Sequence, residues 1–136
     1  MTAEKLIDLA TEARTHAYAP YSHFHVGAAI LCADGRVYQG CNIENAAYGP
    51  SNCAERTAIF KAVYDGHRDF SAIAVCGGMN GVITGPCPPC GVCRQVLREF
   101  CDADLVVYMV DANGAYKAVT LGEILPYSFS AAELEL

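Results

Sequence analysis

Apolar positions along the chain change their period several times, and each change marks an element. Leu6, Leu9, Ala10, Ala13 and Ala17 recur at helical spacing, which predicts an opening amphipathic helix that ends before Pro20. Phe24 to Leu31 and Arg36 to Ile43 are apolar-rich, strand-like runs, and Asp34-Gly35 between them is a strong hairpin signal. A second helix is predicted from Asn52 to about Tyr64, burying Ala54, Ala58, Ala62 and Val63. Phe70 to Val75 reads as a buried strand. The stretch Gly77 to Pro89 holds four glycines and three prolines, which predicts a loop without regular structure. A third helix follows from about Gly91 to Cys101, with Val92, Val96, Leu97 and Phe100 facing inward. Leu105 to Val110 has the length and β-branching of a central strand. Asp111 to Gly114 turns the chain, Ala115 to Val119 adds a last strand, and Leu121 to Leu125 forms a short helix before Pro126. The order predicts an α/β fold with a mixed, roughly five-stranded sheet and helices on both faces, a three-layer α/β/α sandwich. No repeat, low-complexity segment or linker interrupts it, so residues 1–136 read as one domain.

Composition narrows the range of functions. Hydrophobic residues make up 53% of the 136, ample for a core, yet no apolar run approaches the length that spans a membrane. The start, Met1-Thr2-Ala3-Glu4-Lys5, carries acid early and lacks an apolar signal core, so no secretion signal is expected. A net charge of -6 argues against nucleic acid and anionic membranes as partners and favours a small, neutral or weakly charged substrate. Eight cysteines are many for this length. Without an oxidising context they serve more often as metal ligands or catalytic thiols than as disulfides, and the expected compartment is the cytoplasm.

Among those cysteines, Cys53 alone has a glutamate two residues on, Glu55. Far downstream, Pro89-Cys90-Gly91-Val92-Cys93 offers two more thiols. Three thiolates would hold zinc with a fourth position free, the arrangement of a catalytic site, and Glu55 would remain a free carboxylate. Asn52 sits where a helix N-cap is expected, which puts Cys53 in the first turn, where the helix dipole favours a thiolate. Cys90 and Cys93 likewise begin the third helix. Arg56, three residues after Cys53, and Arg94, next to Cys93, are the expected cations that balance three thiolates. Each residue alone has a plainer reading: buried apolar thiols, and a capping-box glutamate in Asn52-x-x-Glu55. Together those readings require several coincidences. Pro86-Cys87-Pro88-Pro89-Cys90 repeats the Pro-Cys-x-x-Cys pattern, so Cys87 competes with Cys93 for the ligand set. The position of Cys90 and Cys93 at a helix start, followed by Arg94, favours that pair, whereas Pro88 and Pro89 deprive Cys87 of backbone donors.

At these residues the chain resembles the cytidine deaminases of the small homotetrameric class, nearly end to end. Ala17-Tyr18-Ala19-Pro20-Tyr21-Ser22-His23-Phe24 and Val26-Gly27-Ala28-Ala29 are similar to that family's amino-terminal motif, and Gly40-Cys41-Asn42-Ile43-Glu44-Asn45-Ala46 to its nucleoside-binding strand. Cys53-Ala54-Glu55-Arg56-Thr57-Ala58 and Pro89-Cys90-Gly91-Val92-Cys93-Arg94-Gln95 are similar to its zinc motifs, and Leu125-Pro126 with Phe129 to its tail. The loop Gly77 to Pro88, longer than usual and carrying Cys87, departs from the pattern. The resemblance implies hydrolysis of cytidine and deoxycytidine to uridine, deoxyuridine and ammonia in pyrimidine salvage, with one zinc ion per subunit. It implies that Glu55 carries a proton from water to N3 of cytosine while activated water attacks C4. Phe24 would lie against the pyrimidine, and Asn42 and Glu44, two apart on a predicted strand, would bind the ribose hydroxyls. Phe129, Ala46 and Tyr48 resemble residues that enter a neighbouring subunit's site, so a homotetramer with shared sites is implied. Without the resemblance, Asn42 and Glu44 read as a solvated polar face and Phe24 as core. His23 and His25 read as solvent-facing. Cys32, Cys41, Cys76 and Cys101 sit in apolar runs and read as structural.

Three rivals remain at this point. A structural zinc module would close the site with a fourth ligand, for which Cys87 is the nearby thiol. A thiol oxidoreductase would use Cys87 and Cys90, but such a motif usually opens a helix after an early strand. A deaminase of a nucleotide or an aminoacylnucleoside antibiotic stays within the same chemistry.

Overall fold

The computed structural model describes residues 1–134. One five-stranded sheet runs through it in the order β2-β1-β3-β4-β5, where β1 is Phe24–Cys32, β2 Val37–Cys41, β3 Phe70–Met79, β4 Val106–Val110 and β5 Tyr116–Thr120. β3 and β4 are parallel and every other neighbour pair is antiparallel, so the sheet is mixed. Helix α1 (Ala3–Ala13) covers one face. Helices α2 (Ala54–Tyr64) and α3 (Gly91–Phe100) and the single turn α4 (Leu121–Ile124) cover the other, which is the expected three-layer arrangement.

Alternation along β1 and β3 divides the core. Ala29, Ala72, Ala74 and Cys76 face α1, meeting Leu6, Ile7 and Ala10. Ala28, Ile30, Cys32, Ile73 and Val75 face α2 and α3, meeting Ala58, Ile59 and Leu97. The α1 face is paved with small side chains, so that helix sits close: a Cβ on Gly27 would overlap the Ala10 carbonyl and lie 2.9 Å from Arg14 Cα. α2 is equally close to the sheet at Gly40, where a Cβ would lie 2.5 Å from the Ala58 nitrogen. These two glycines set the distance between each helix and the strands. Among the described residues no helix is long and apolar enough to cross a membrane.

Three expectations need correction. β3 does not stop at Val75; Cys76 to Met79 continue it, pairing antiparallel with Phe24 to Gly27. Gly77 and Gly78, read as loop residues, are there because backbone passes close by: a Cβ on Gly78 would overlap the Val82 carbonyl. β2 ends at Cys41, two residues earlier than expected, since the Asn42 side chain takes over the pairing with β1. Val92, expected inward, is 58% exposed, because Cys93 and Leu97 form the buried stripe of α3.

Candidate active site

Two helix starts meet over the carboxyl end of β3. Cys53 is itself the N-cap of α2, with extended backbone at φ -78° and ψ 158°, one residue later than the sequence pattern predicts. Asn52 therefore stands outside the helix. Its amide donates to Thr57 Oγ1, which in turn donates to the Cys53 carbonyl at 3.1 Å. Cys90 holds the same position on α3 (φ -67°, ψ 166°), and Cys93, one turn in, is fully buried. The unpaired N–H groups of a first turn favour negative charge on such residues.

The three sulfur atoms converge. Cys53 Sγ lies 3.7 Å from Cys90 Sγ, Cys90 Sγ lies 3.5 Å from Cys93 Sγ, and all three fall within 4.8 Å of one another. Tetrahedral zinc with Zn–S bonds of about 2.3 Å sets its sulfurs roughly 3.8 Å apart. The donor set therefore fits that ion. Arg56 Nη2 donates to Cys53 Sγ at 3.2 Å. Hydrogen bonds from Cys93 and Arg56 bring the Cys53 thiol down to about 5 despite its partial burial, while the Cys93 thiol is pushed up by that same bond and by burial. Cys87 is outside the trio. Burial, with the Glu55 charge beside it, pushes its thiol up to about 12. A thiol so hard to ionise is a poor redox nucleophile, which weakens the oxidoreductase rival.

Glu55, in the first turn of α2, is 4% exposed, and its Oε1 has no hydrogen-bond partner among the described residues. Burial pushes its carboxyl up to about 7, with the Cys53 charge adding to the shift. A buried carboxylate with an unpartnered oxygen is expensive to keep unless something else comes to it. It lines a cavity of 540 Å³, as do Cys53 and Cys90. That volume suits a small-molecule ligand.

The sequence and the fold point the same way when set against known proteins. The family described as the cytidine and deoxycytidylate deaminase zinc-binding region matches residues 1–109. A cytidine deaminase of Sporosarcina psychrophila is 51% identical over 98% of this chain and 96% of its own length. The 1.6 Å crystal structure of cytidine deaminase from Burkholderia pseudomallei superposes with a TM-score of 0.88 at 48% identity, covering 95% of this chain and all of the other. The chain belongs to the cytidine and deoxycytidylate deaminase family. A more distant relative, blasticidin-S deaminase of Bacillus cereus, is 31% identical over 93% of this chain and 91% of its own length.

Within this deaminase fold the remaining predicted residues divide. Phe24, Asn42, Glu44 and Tyr48 line the same cavity as Glu55. Phe24 is 36% exposed and so is a wall of the cavity, not core. Asn42 accepts from the Val26 N–H at 2.9 Å and donates to the Phe24 carbonyl at 2.8 Å, fixing its amide against β1. Glu44 Oε1 accepts from the Tyr21 and Ser22 N–H groups, both at 3.0 Å, and Oε2 accepts from the Ser22 hydroxyl. These donors hold its carboxyl below the usual range, the Ser22 hydroxyl foremost. Ala46 is exposed, and Phe129 is 59% exposed, its carbonyl accepting from Gln95 Nε2 at 2.9 Å. Arg94 does not reach the sulfurs as a hydrogen-bond donor. Its guanidinium donates to the Pro89 and Ile124 carbonyls at 2.7 and 2.8 Å, and so ties the segment before Cys90 to α4. Sequence reasoning passed over Val92 and Pro88, which also line the cavity. Helical periodicity assigned Val92 to the core, and only its place between two ligand-spaced cysteines signalled otherwise.

Proposed function

We propose that the protein hydrolyses cytidine and deoxycytidine to uridine and deoxyuridine with release of ammonia, using Cys53, Cys90 and Cys93 to hold one zinc ion. The observation that carries this reading is the buried Glu55 carboxylate, its Oε1 unpartnered among the described residues, opening on a nucleoside-sized cavity beside three convergent thiols. When bound, zinc supplies a Lewis acid that acidifies water at neutral pH. Glu55 accepts one proton from water as its oxygen bonds to C4 and delivers it to N3 of the pyrimidine; it then takes the second from the new C4 hydroxyl and passes it to the amine as the C4–N bond breaks. A carboxyl tuned to about 7 is suited to both halves of that transfer. Arg56, bonded to Cys53, offsets part of the thiolate charge.

Phe24 supplies an apolar wall for the pyrimidine ring. Glu44, already holding three donors, keeps acceptor capacity for a ribose hydroxyl, and Asn42 keeps its second N–H and second lone pair for another. A base lacking the sugar would leave those groups unpaired, which favours nucleosides over free cytosine. Ala46, Tyr48 and Phe129 serve sites shared between subunits of a homotetramer, a role supported by the exposure of Tyr48 and Phe129. The enzyme works in the cytoplasm in pyrimidine salvage, a setting supported by eight free cysteines.

The test is the ultraviolet absorbance change of cytidine with zinc-replete protein, set against Glu55→Gln. The wild type should consume the cytidine band, and the variant should keep its zinc while losing about 10²–10⁴-fold in rate. A variant that turns over at the wild-type rate would remove Glu55 from the mechanism. A zinc-loaded wild type that ignores cytidine but deaminates blasticidin S would move the substrate to the antibiotic class.

A further inference from the structure

A second cluster of ligating side chains lies at the other end of β1 from Phe24, about 27 Å away along the strand. α2 ends there in a Schellman turn: the Gly66 N–H donates to the Val63 carbonyl and the His67 N–H to the Ala62 carbonyl, both at 3.0 Å, with Gly66 at φ 96°. This turn swings His67 over the β1–β2 hairpin. Cys32 Sγ, an Asp34 carboxylate oxygen and a His67 ring nitrogen then all lie within 4.8 Å of one another. Cys32 is buried and Asp34 is exposed, so the cluster bridges core and surface.

The hydrogen bonds around His67 determine which nitrogen faces the cluster. Tyr38 donates its hydroxyl proton to Asp65 Oδ2 at 2.7 Å, and its oxygen lies 3.3 Å from His67 Nδ1. With the ring proton on Nδ1, donated to the phenol oxygen, His67 presents its Nε2 lone pair to Asp34 Oδ2, 3.1 Å away; with it on Nε2, the ring donates to Asp34. A metal ion takes the place of an Nε2 proton and selects the tautomer with its proton on Nδ1. A carboxylate–phenol–imidazole chain is the kind of outer support that orients a metal-binding histidine.

We infer that Cys32, Asp34 and His67 form a second metal site, separate from the Cys53–Cys90–Cys93 trio, that takes a zinc-like divalent transition-metal cation. Thiolate, imidazole and carboxylate donors suit such an ion, with water in the fourth position. Binding releases the Cys32 thiol proton, together with the Nε2 proton wherever His67 is charged, and no group is oxidised or reduced. Arg36, whose backbone N–H donates to Asp34 Oδ1 at 3.0 Å and whose guanidinium neighbours Tyr38, opposes the cation. Asp65, behind Tyr38, favours it. Burial and the Asp34 charge hold the Cys32 thiol up, so uptake strengthens as pH rises. A bound ion would pin the hairpin to the end of α2.

The experiment is equilibrium dialysis of the zinc-loaded protein against Co²⁺, with both metals counted and the thiolate-to-cobalt charge-transfer absorption recorded. One cobalt per chain is expected in addition to the zinc, and with it a thiolate band. Asp34→Asn, at an exposed position, and His67→Gln should abolish that equivalent while zinc content holds. Tyr38→Phe should weaken it by about 10–100-fold. Cys32→Ala should remove the band. Absence of extra cobalt, cobalt gained only as zinc is lost, or equal uptake by Asp34→Asn and His67→Gln would each overturn the site.

Discussion

The two ends of the cavity are built on different principles. At the sulfur end, Cys53, Glu55, Cys90 and Cys93 sit on the first turns of two helices packed against the sheet, with Glu55 4% and Cys93 0% exposed. At the other end, Phe24 and Tyr48 are 36% and 74% exposed, on a strand end and a connection, and Phe129, on the tail outside the cavity lining, is 59% exposed. Groups proposed to exchange protons are buried in rigid elements, because burial itself tunes their charge. Groups proposed to recognise the nucleoside hang on connecting segments, where a ligand or a neighbouring chain can still cover them.

The sharpest way to break this contrast is at the sulfur end. Cys90→Ala should lose zinc and with it all measurable cytidine turnover, whereas Cys87→Ala, three residues away, should retain both. Elemental analysis reads the difference directly, and zinc lost from the Cys87 variant alone would reverse the ligand assignment. Gly40→Ala tests whether rigidity matters, since the new Cβ would collide with the α2 backbone at Ala54 and Ala58. It should destabilise the fold by about 1–3 kcal/mol in denaturant titration and lower activity through displaced Cys53 and Glu55.

Glu44→Gln probes the exposed end and should act differently. It removes a charged acceptor, so KM should rise about tenfold or more with kcat largely kept. A fall in kcat alone would instead place Glu44 with the proton-transfer groups. The same carboxylate gives a weaker, pH-dependent signal. Its folded pKa lies below the ordinary 4.5 because the Tyr21-Ser22 turn donates to it. Its contribution to holding that turn is therefore complete above about pH 4.5 and fades as pH falls through the lower folded value. Protection of the Tyr21 and Ser22 amides from exchange, relative to their intrinsic rates at each pH, should fall in acid before the sheet opens, and Glu44→Gln should remove that step. The smallest effect is expected from Phe129→Ala in dilute protein, growing only where a second subunit supplies that side chain.

Much of the fold could be read from local pattern because its elements satisfy themselves locally. The Asp34-Gly35 hairpin, the α1 periodicity and the β-branched run Val106 to Val110 all needed only neighbouring residues. The misreadings lie where distant backbone intervenes. Gly77 and Gly78 look like loop punctuation, yet they continue a strand because β1 pairs with them and no side chain fits there. Val92 has the spacing of a core residue, but the pull of Cys93 and Leu97 turns it into the cavity.

For the site, the chain order alone determined the chemistry on offer: a cysteine two before a glutamate, and a cysteine pair three apart after a proline. Spacing within one helical turn is a local property, so these groupings survive any packing. Only the tertiary structure decided which thiols meet. Cys87 and Cys93 are equally spaced from Cys90, but α3 carries Cys93 to the start of α2 and leaves Cys87 in the cavity wall. The fold likewise assigned Arg56 to a sulfur and Arg94 to two carbonyls, although each directly follows or neighbours a motif residue. A guanidinium binds whatever acceptor the fold brings within reach, and that depends on segments many residues away.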